Sequence, residues 1–197
     1  MARLGCHDPA LLSHALQVER WTTQFGRQLG MNRERLQRLR VAAILHDVGK
    51  LTIPAAVLSK PGELEPKELA LVRNHATAGY EMLAEEGVHL CEEILNVVRF
   101  HHERLDGSGY PHALHGNQIN QDVRIIMICD IYAALRENRP YNRPMNCCGA
   151  LKRMSEETSR IDMELFKVFA ELALLNEGEH EWLDSNPLRE RCILTLL

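Results

Sequence analysis

His46 and Asp47 stand side by side where an apolar helical stretch runs into Gly49-Lys50. An imidazole and a carboxylate turned together into a cleft can ligate one divalent ion, and the carboxylate has a second oxygen for another ion. Lys50 then has a use as a cation beside a phosphate or a departing alkoxide. A second pair, His101-His102 with Glu103 after it, ends another helical stretch just before a glycine-rich segment. Consecutive helical residues point about a hundred degrees apart, so both histidines reach one binuclear centre only if it lies at the helix end. Asp130 sits inside RIIMICDIYAAL, and a carboxylate on so apolar a helix needs a partner or a metal. His14 and His75 lie in the first turns of amphipathic stretches, close to the buried face.

Each of these residues has a bland explanation when taken singly. His14 suits a core edge, His75 a helix cap or the surface, and Asp130 a buried pair with an arginine. Together His14, His46, Asp47, His75, His101, His102 and Asp130 are better explained by one metal site. Glu103 either orients a ligand histidine from behind or ends its helix in solvent. His7, His89, His112, His115 and His180 take the loop or surface assignment, although the loop of His112 and His115 could line the cleft. The chemistry expected of the seven is phosphate-ester hydrolysis. Two ions about 3.5 to 4 Å apart would make a bridging hydroxide available near neutral pH, with Lys50 offsetting charge on the phosphoryl oxygens.

The chain around these residues is that of an ordinary soluble protein. It has 197 residues, 45% hydrophobic and 25% charged, with a formal net charge of -4, which excludes disorder as the dominant state. The length suits one well-cored unit. No stretch is long and apolar enough to span a membrane and the first residues lack the order of a signal peptide, so a cytoplasmic protein is expected. The acidic balance argues against binding a nucleic-acid polymer. Six cysteines without a CxxC spacing are expected to be reduced thiols.

Apolar periodicity predicts the elements that must position the site. Helices are expected over 8–30, closed by Gly30, then over 32–46 with Asn32 as cap, 65–73, 75–86 and 91–102. The segment 52–62 is a loop or a short helical turn, and 104–118 is a tailored loop because its glycines and Pro111 crowd together. VRIIMICDIYAAL over 123–135 is ambiguous, since Val and Ile favour strand while its length favours helix. Helix is expected because no other segment offers a strand partner. A loop over 139–145, helices over 146–157 and 163–176, and a tail with a helical turn at 179–184 complete an all-α chain, with residues 1–176 as the working domain and 177–197 as tail.

HDVGK at 46–50 together with HHERLDGSGYP at 101–111 resembles the double signature of the HD-GYP family, a branch of the HD-domain phosphohydrolases. The likeness runs from about His14 to Phe169 and takes in IPAAVLSKPGELEPKE, HATAGYEML, ICDIYAAL and the RPY at 139–141. It implies an HD-domain-like bundle of about seven helices around a binuclear metal centre, with two divalent ions, usually iron or manganese. Nickel and zinc also suit imidazole and carboxylate ligands. It implies hydrolysis of cyclic di-GMP to linear pGpG or on to GMP, with the seven residues above as ligands, Asp47 bridging the ions and Lys50 catalytic. Asp106, Gly109, Tyr110 and Pro111, with Arg143 standing in for the arginine usual at Asn142, are implied at the substrate mouth or as a docking loop for a diguanylate cyclase. A homodimer is also compatible.

The departures from the pattern are Ala10 where three-metal members have glutamate, Ala133 for the second aspartate of DxxDA, Ala113-Leu114 for Gly-Leu, and Asn142. A third metal is not expected. A catalytically weak or inactive module that binds a cyclic dinucleotide or a partner is the first alternative, and an HD-type phosphatase acting on another nucleotide is the second.

Overall fold

The computed structural model describes residues 9–85, 90–137 and 143–178, and its architecture is organised on the ambiguous stretch. That stretch is a helix, Gln121–Arg136 (α7), in which Val123, Ile125–Cys129, Asp130, Tyr132 and Ala133 are all buried. A helix buried on most faces loses its amphipathic pattern, which is why periodicity could not decide it. Packing on every side overrides the strand preference of its Val and Ile residues. It begins at Gln121 because Asn120 caps it, its side chain accepting the Val123 N–H at 2.9 Å.

Around α7 lie α1 (Pro9–Gln28), α2 (Arg33–Leu45), α3 (Ala55–Leu58), α4 (Pro66–Arg73), α5 (His75–Glu85), α6 (Glu92–Phe100), α8 (Cys147–Ser155) and α9 (Met163–Gly178). These are the α-helices among the described residues. No sheet forms there, and the one isolated β-bridge joins Asp106 to His115. Gly30 ends α1 with φ +69°; Gly30 N–H donates to Arg27 C=O and Met31 N–H to Gly26 C=O, the Schellman closure. Asn32 caps α2, its side chain accepting from Arg35 N–H. Pro66 with reciprocal Glu65 and Glu68 bonds starts α4, and Asn146 caps α8.

α1 packs on α2, α7 and α9, while α6 bridges α5 to α2 and α7. The main core takes Phe25, Leu39, Met127, Tyr132, Leu151, Phe166 and Phe169. A smaller cluster of Leu11, Val48, Leu83 and Val98 lies under the turn that follows α2. No helix among the described residues is long and apolar enough to cross a membrane. The expected RPY loop at 139–141, Asn142 and the turn at 179–184 lie outside the described residues.

Candidate metal centre

Three helix ends and two helix interiors meet at one buried point. His46 is the C-cap of α2 and Asp47 opens the 3-10 turn Val48–Thr52. His75 is the first residue of α5 and His101 is the C-cap of α6. His14 and Asp130 come from within α1 and α7. The turn reaches α5 because Gly49 has no side chain: a Cβ there would stand 1.9 Å from the His75 carbonyl oxygen. That close approach brings His75 beside His46-Asp47.

The seven residues fall into two groups, Asp47 with His75, His101 and His102, and His14 with His46 and Asp130. Within each group one ligand atom per residue lies within 4.8 Å of every other. Asp47 serves both. Its Oδ1 is 3.2 Å from His75 Nε2 and 3.7 Å from His101 Nε2, while its Oδ2 is 3.4 Å from His46 Nε2 and 4.0 Å from His14 Nε2. Asp130 Oδ1 is 2.9 Å from His14 Nε2 and 3.9 Å from His46 Nε2.

The helix-end histidines are aimed by their own backbone. The Nδ1 atoms of His46, His75 and His101 lie 2.7, 2.6 and 2.9 Å from the carbonyl oxygens of Ala43, Val72 and Val98, each three residues back. Those carbonyls belong to final helical turns, where the i to i+4 ladder runs out. An Nδ1–H donated there leaves the Nε2 lone pair pointing into the centre.

A divalent ion fits this donor set. His75 Nε2 and His101 Nε2 face each other at 3.3 Å, and neither carries a proton once its Nδ1 does. His46 Nε2 and Asp47 Oδ1 are buried without a hydrogen-bond partner. Lone pairs facing lone pairs in a buried pocket repel, and an unpaired buried polar atom is costly. A cation bonded at about 2.0 to 2.2 Å to each donor relieves both.

The electrostatics keep Asp47, Asp130, His101 and His102 in their binding forms. Burial opposes ionisation of Asp47, but Lys50 and His46 outweigh it and hold the carboxyl well below the usual range. Burial likewise opposes Asp130, and the His14 hydrogen bond leads the interactions that hold it low. Burial drives His101 down to about 4 and His102 well below 6.5. His14 is the exception: burial disfavours its charge, yet hydrogen bonds to Asp130 and Glu137 raise it to about 9.

The remaining expected site residues divide. Lys50 Nζ is 2.5 Å from Asp47 Oδ2, at the centre. The Tyr110 ring lies against His102, with centroids 4.8 Å apart, and Arg73 Cζ is 5.5 Å from its centroid. Gly109 is pressed to the backbone, since a Cβ there would be 2.4 Å from Glu103 Cα, and Tyr110-Pro111 is a cis peptide. Glu103 is fully buried, and its carboxylate accepts the His112 and Leu114 N–H groups at 2.7 and 2.9 Å. It therefore braces the loop rather than a ligand histidine. Asp106 is exposed and turned to Ser108, Ser159 and Arg160. Arg143 is exposed, and no hydrogen bond or ion pair among the described residues ties it to the centre. His112 packs on Phe100 and Arg99, and His115 covers Gly107.

Besides Arg73, two participants were missed by sequence reasoning. Glu137 Oε1 is 2.8 Å from His14 Nδ1; its signal was a carboxylate one helical turn past Ala133. Arg104 is largely buried, which disfavours its charge, donates to the Glu103 carbonyl oxygen at 2.8 Å and feels the opposing charge of Asp130. It stood in plain view in HHER.

Some known proteins are similar to this chain in sequence and others in fold. Cyclic di-GMP phosphodiesterase PA4108 of Pseudomonas aeruginosa is 34% identical over 173 residues, 86% of this chain and 41% of that protein. The 3'3'-cGAMP-specific phosphodiesterase 1 of Vibrio cholerae is 36% identical over 160 residues, 79% of this chain and 36% of that protein. The chain thus spans less than half the length of these relatives. The HD domain of the L. monocytogenes phosphodiesterase PgpH has the same fold, with TM-score 0.66 at 17% identity over 91% of this chain and 98% of that one. Bd1817 of Bdellovibrio bacteriovorus, an HDG"Y"P protein, superposes with TM-score 0.68 at 19% identity over 82% of this chain and 52% of its own. The sequence pattern of the HD domain family matches residues 3–165. With that match spanning the helices that carry all seven clustered His and Asp residues, the chain belongs to the HD domain family.

Proposed function

We propose that the chain is a metal-dependent phosphodiesterase of the HD-GYP branch, opening cyclic di-GMP to linear pGpG, with GMP as the product if cleavage continues. The observation that carries this reading is Asp47, whose two oxygens face two separate ligand groups with Lys50 against one of them. Divalent ions held there, iron or manganese by preference, would supply Lewis acidity and an activated water.

The chain's own residues shape the reaction around that point. Lys50, against Asp47 Oδ2, would offset charge on the phosphoryl oxygens and on the departing 3' oxygen. Burial and the charges of Asp47 and Asp130 raise the Tyr110 phenol, so it keeps its proton at neutral pH and closes the His102 side of the centre. Arg73 and Arg104 flank Tyr110 with no carboxylate in salt-bridge range among the described residues. Guanidinium groups left in that state suit a substrate with two phosphates.

The relatives leave the base open, because proteins named for cyclic di-GMP and for 3'3'-cGAMP are similarly related, at 34% and 36% identity. The test is turnover of cyclic di-GMP, 3'3'-cGAMP, cyclic di-AMP and a panel of mononucleotides by protein loaded anaerobically with Fe(II) or Mn(II), with metal counted on the same sample. Cleavage of cyclic di-GMP at about two ions per chain supports the proposal. Preference for 3'3'-cGAMP moves the substrate, monoester cleavage alone favours the nucleotide phosphatase, and bound metal without turnover favours the binding module.

A further inference from the structure

His14 differs from the helix-end histidines in its place on the helix. It lies within α1, where the carbonyls one turn back are taken up by the helix ladder. His14 therefore cannot fix its own Nδ1 as His46, His75 and His101 do, and its aim must be set from another element.

We infer that Glu137 is the positioning residue for His14. Its Oε1 lies 2.8 Å from Nδ1 while Nε2 faces Asp130 at 2.9 Å. A carboxylate on Nδ1–H selects one tautomer, fixes the ring plane and makes Nε2 a stronger donor. Glu137 follows directly on α7, the helix that carries Asp130, so one element supplies both a ligand of this group and the brace of another. Glu137 stands four residues beyond Ala133, whose fully buried methyl offers no acceptor. A glutamate one turn further on is long enough to reach back to the imidazole. Glu137 belongs to neither ligand group; it acts through His14. Ala133 is thereby compatible with an intact centre in this chain.

The inference rests on the metal-binding reading and not on the substrate, so its test uses metal alone. Mn(II) binding is followed by equilibrium titration and by electron paramagnetic resonance, in which an exchange-coupled pair differs from isolated ions. Wild type should bind two ions and show the coupled signal. Glu137→Ala should weaken one of the two about 10- to 100-fold, leave the other unchanged, and give the isolated-ion signal at intermediate loading. Glu137→Gln, whose amide oxygen still accepts from Nδ1–H, should restore most of the affinity. Glu137→Met keeps the length without the acceptor and replaces the alanine variant if that one does not fold.

Unchanged affinity for both ions in Glu137→Ala or Glu137→Met would overturn the inference, as would equal weakening of both sites or a glutamine variant no better than alanine. A wild type that binds no metal would remove the metal reading and this inference together. Two tight ions in wild type and in every variant would remove the inference alone.

Discussion

The two halves of the metal centre are built differently. Around Asp47 Oδ1, His75 and His101 are aimed by the last carbonyls of helical turns next to them in sequence, and His102 lies against Tyr110. Around Asp130, His46 is aimed in the same way, but His14 is held between Asp130 and Glu137, 116 and 123 positions away. One half is assembled from local helix geometry at α5 and α6. The other depends on how α1 is docked against α7. The first half should therefore tolerate changes in bundle packing that loosen the second, and the halves should differ in how protons and metal compete for them.

The change that should break the comparison outright is Asp47→Ala, because the two oxygens of Asp47 face the two halves. We expect loss of metal from both and abolition of hydrolysis, measured by metal analysis and product formation on one sample. Retention of either half's ion would mean that the halves are more independent than the distances imply.

Lys50→Ala leaves every ligand atom in place. It should retain both ions and slow turnover about 10²- to 10³-fold, the usual scale for removing one group that stabilises charge in the transition state. A normal rate with cyclic dinucleotide would remove Lys50 from the chemistry and leave it as the counter-ion of Asp47.

Glu103→Ala sharpens the contrast from the side of the first half. It removes the buried acceptor of the part-buried His112 and Leu114 N–H groups and frees the loop that sets Tyr110 on His102. A loss of about 1 to 3 kcal/mol in denaturant-measured stability is expected, with KM rising and metal content holding. Unaltered stability would show that the loop is held by something other than this carboxylate.

The smallest effect is a proton count. His14 is raised to about 9, so at pH 7 it holds a proton that an ion at Nε2 must displace. Affinity of the Asp130 half should fall as pH drops below about 9, with about one proton released per ion. His101, lowered to about 4, is already neutral at pH 7, and the Asp47 half should release none through it. Calorimetric titration in two buffers of different protonation enthalpy measures this number. Equal release from both halves would contradict the difference in their surroundings.

Much of this molecule was legible in one dimension, and the reason is helix ends. A helix end exposes carbonyls, turns the chain and presents adjacent residues to one cleft, so His46-Asp47 and His101-His102 announced themselves by position as well as by type. The caps Asn32 and Gly30 and the amphipathic stripes placed most helices for the same reason, since each is a local signal with a local cause. Where a residue's partner lies far along the chain, no local signal exists. Glu103, expected either behind a ligand histidine or in solvent, faces loop N–H groups; Asp106, implied at the substrate mouth or in a docking loop, turns to Ser108 and Arg160. The sequence by itself determined the ligand types, the helical elements and the end-of-helix half of the centre, because those rest on hydrogen bonds spanning three or four residues. Only the tertiary structure decided which histidines each Asp47 oxygen faces, that Glu103 turns to the loop and that Glu137 holds His14, because each depends on surfaces that meet only when the bundle closes.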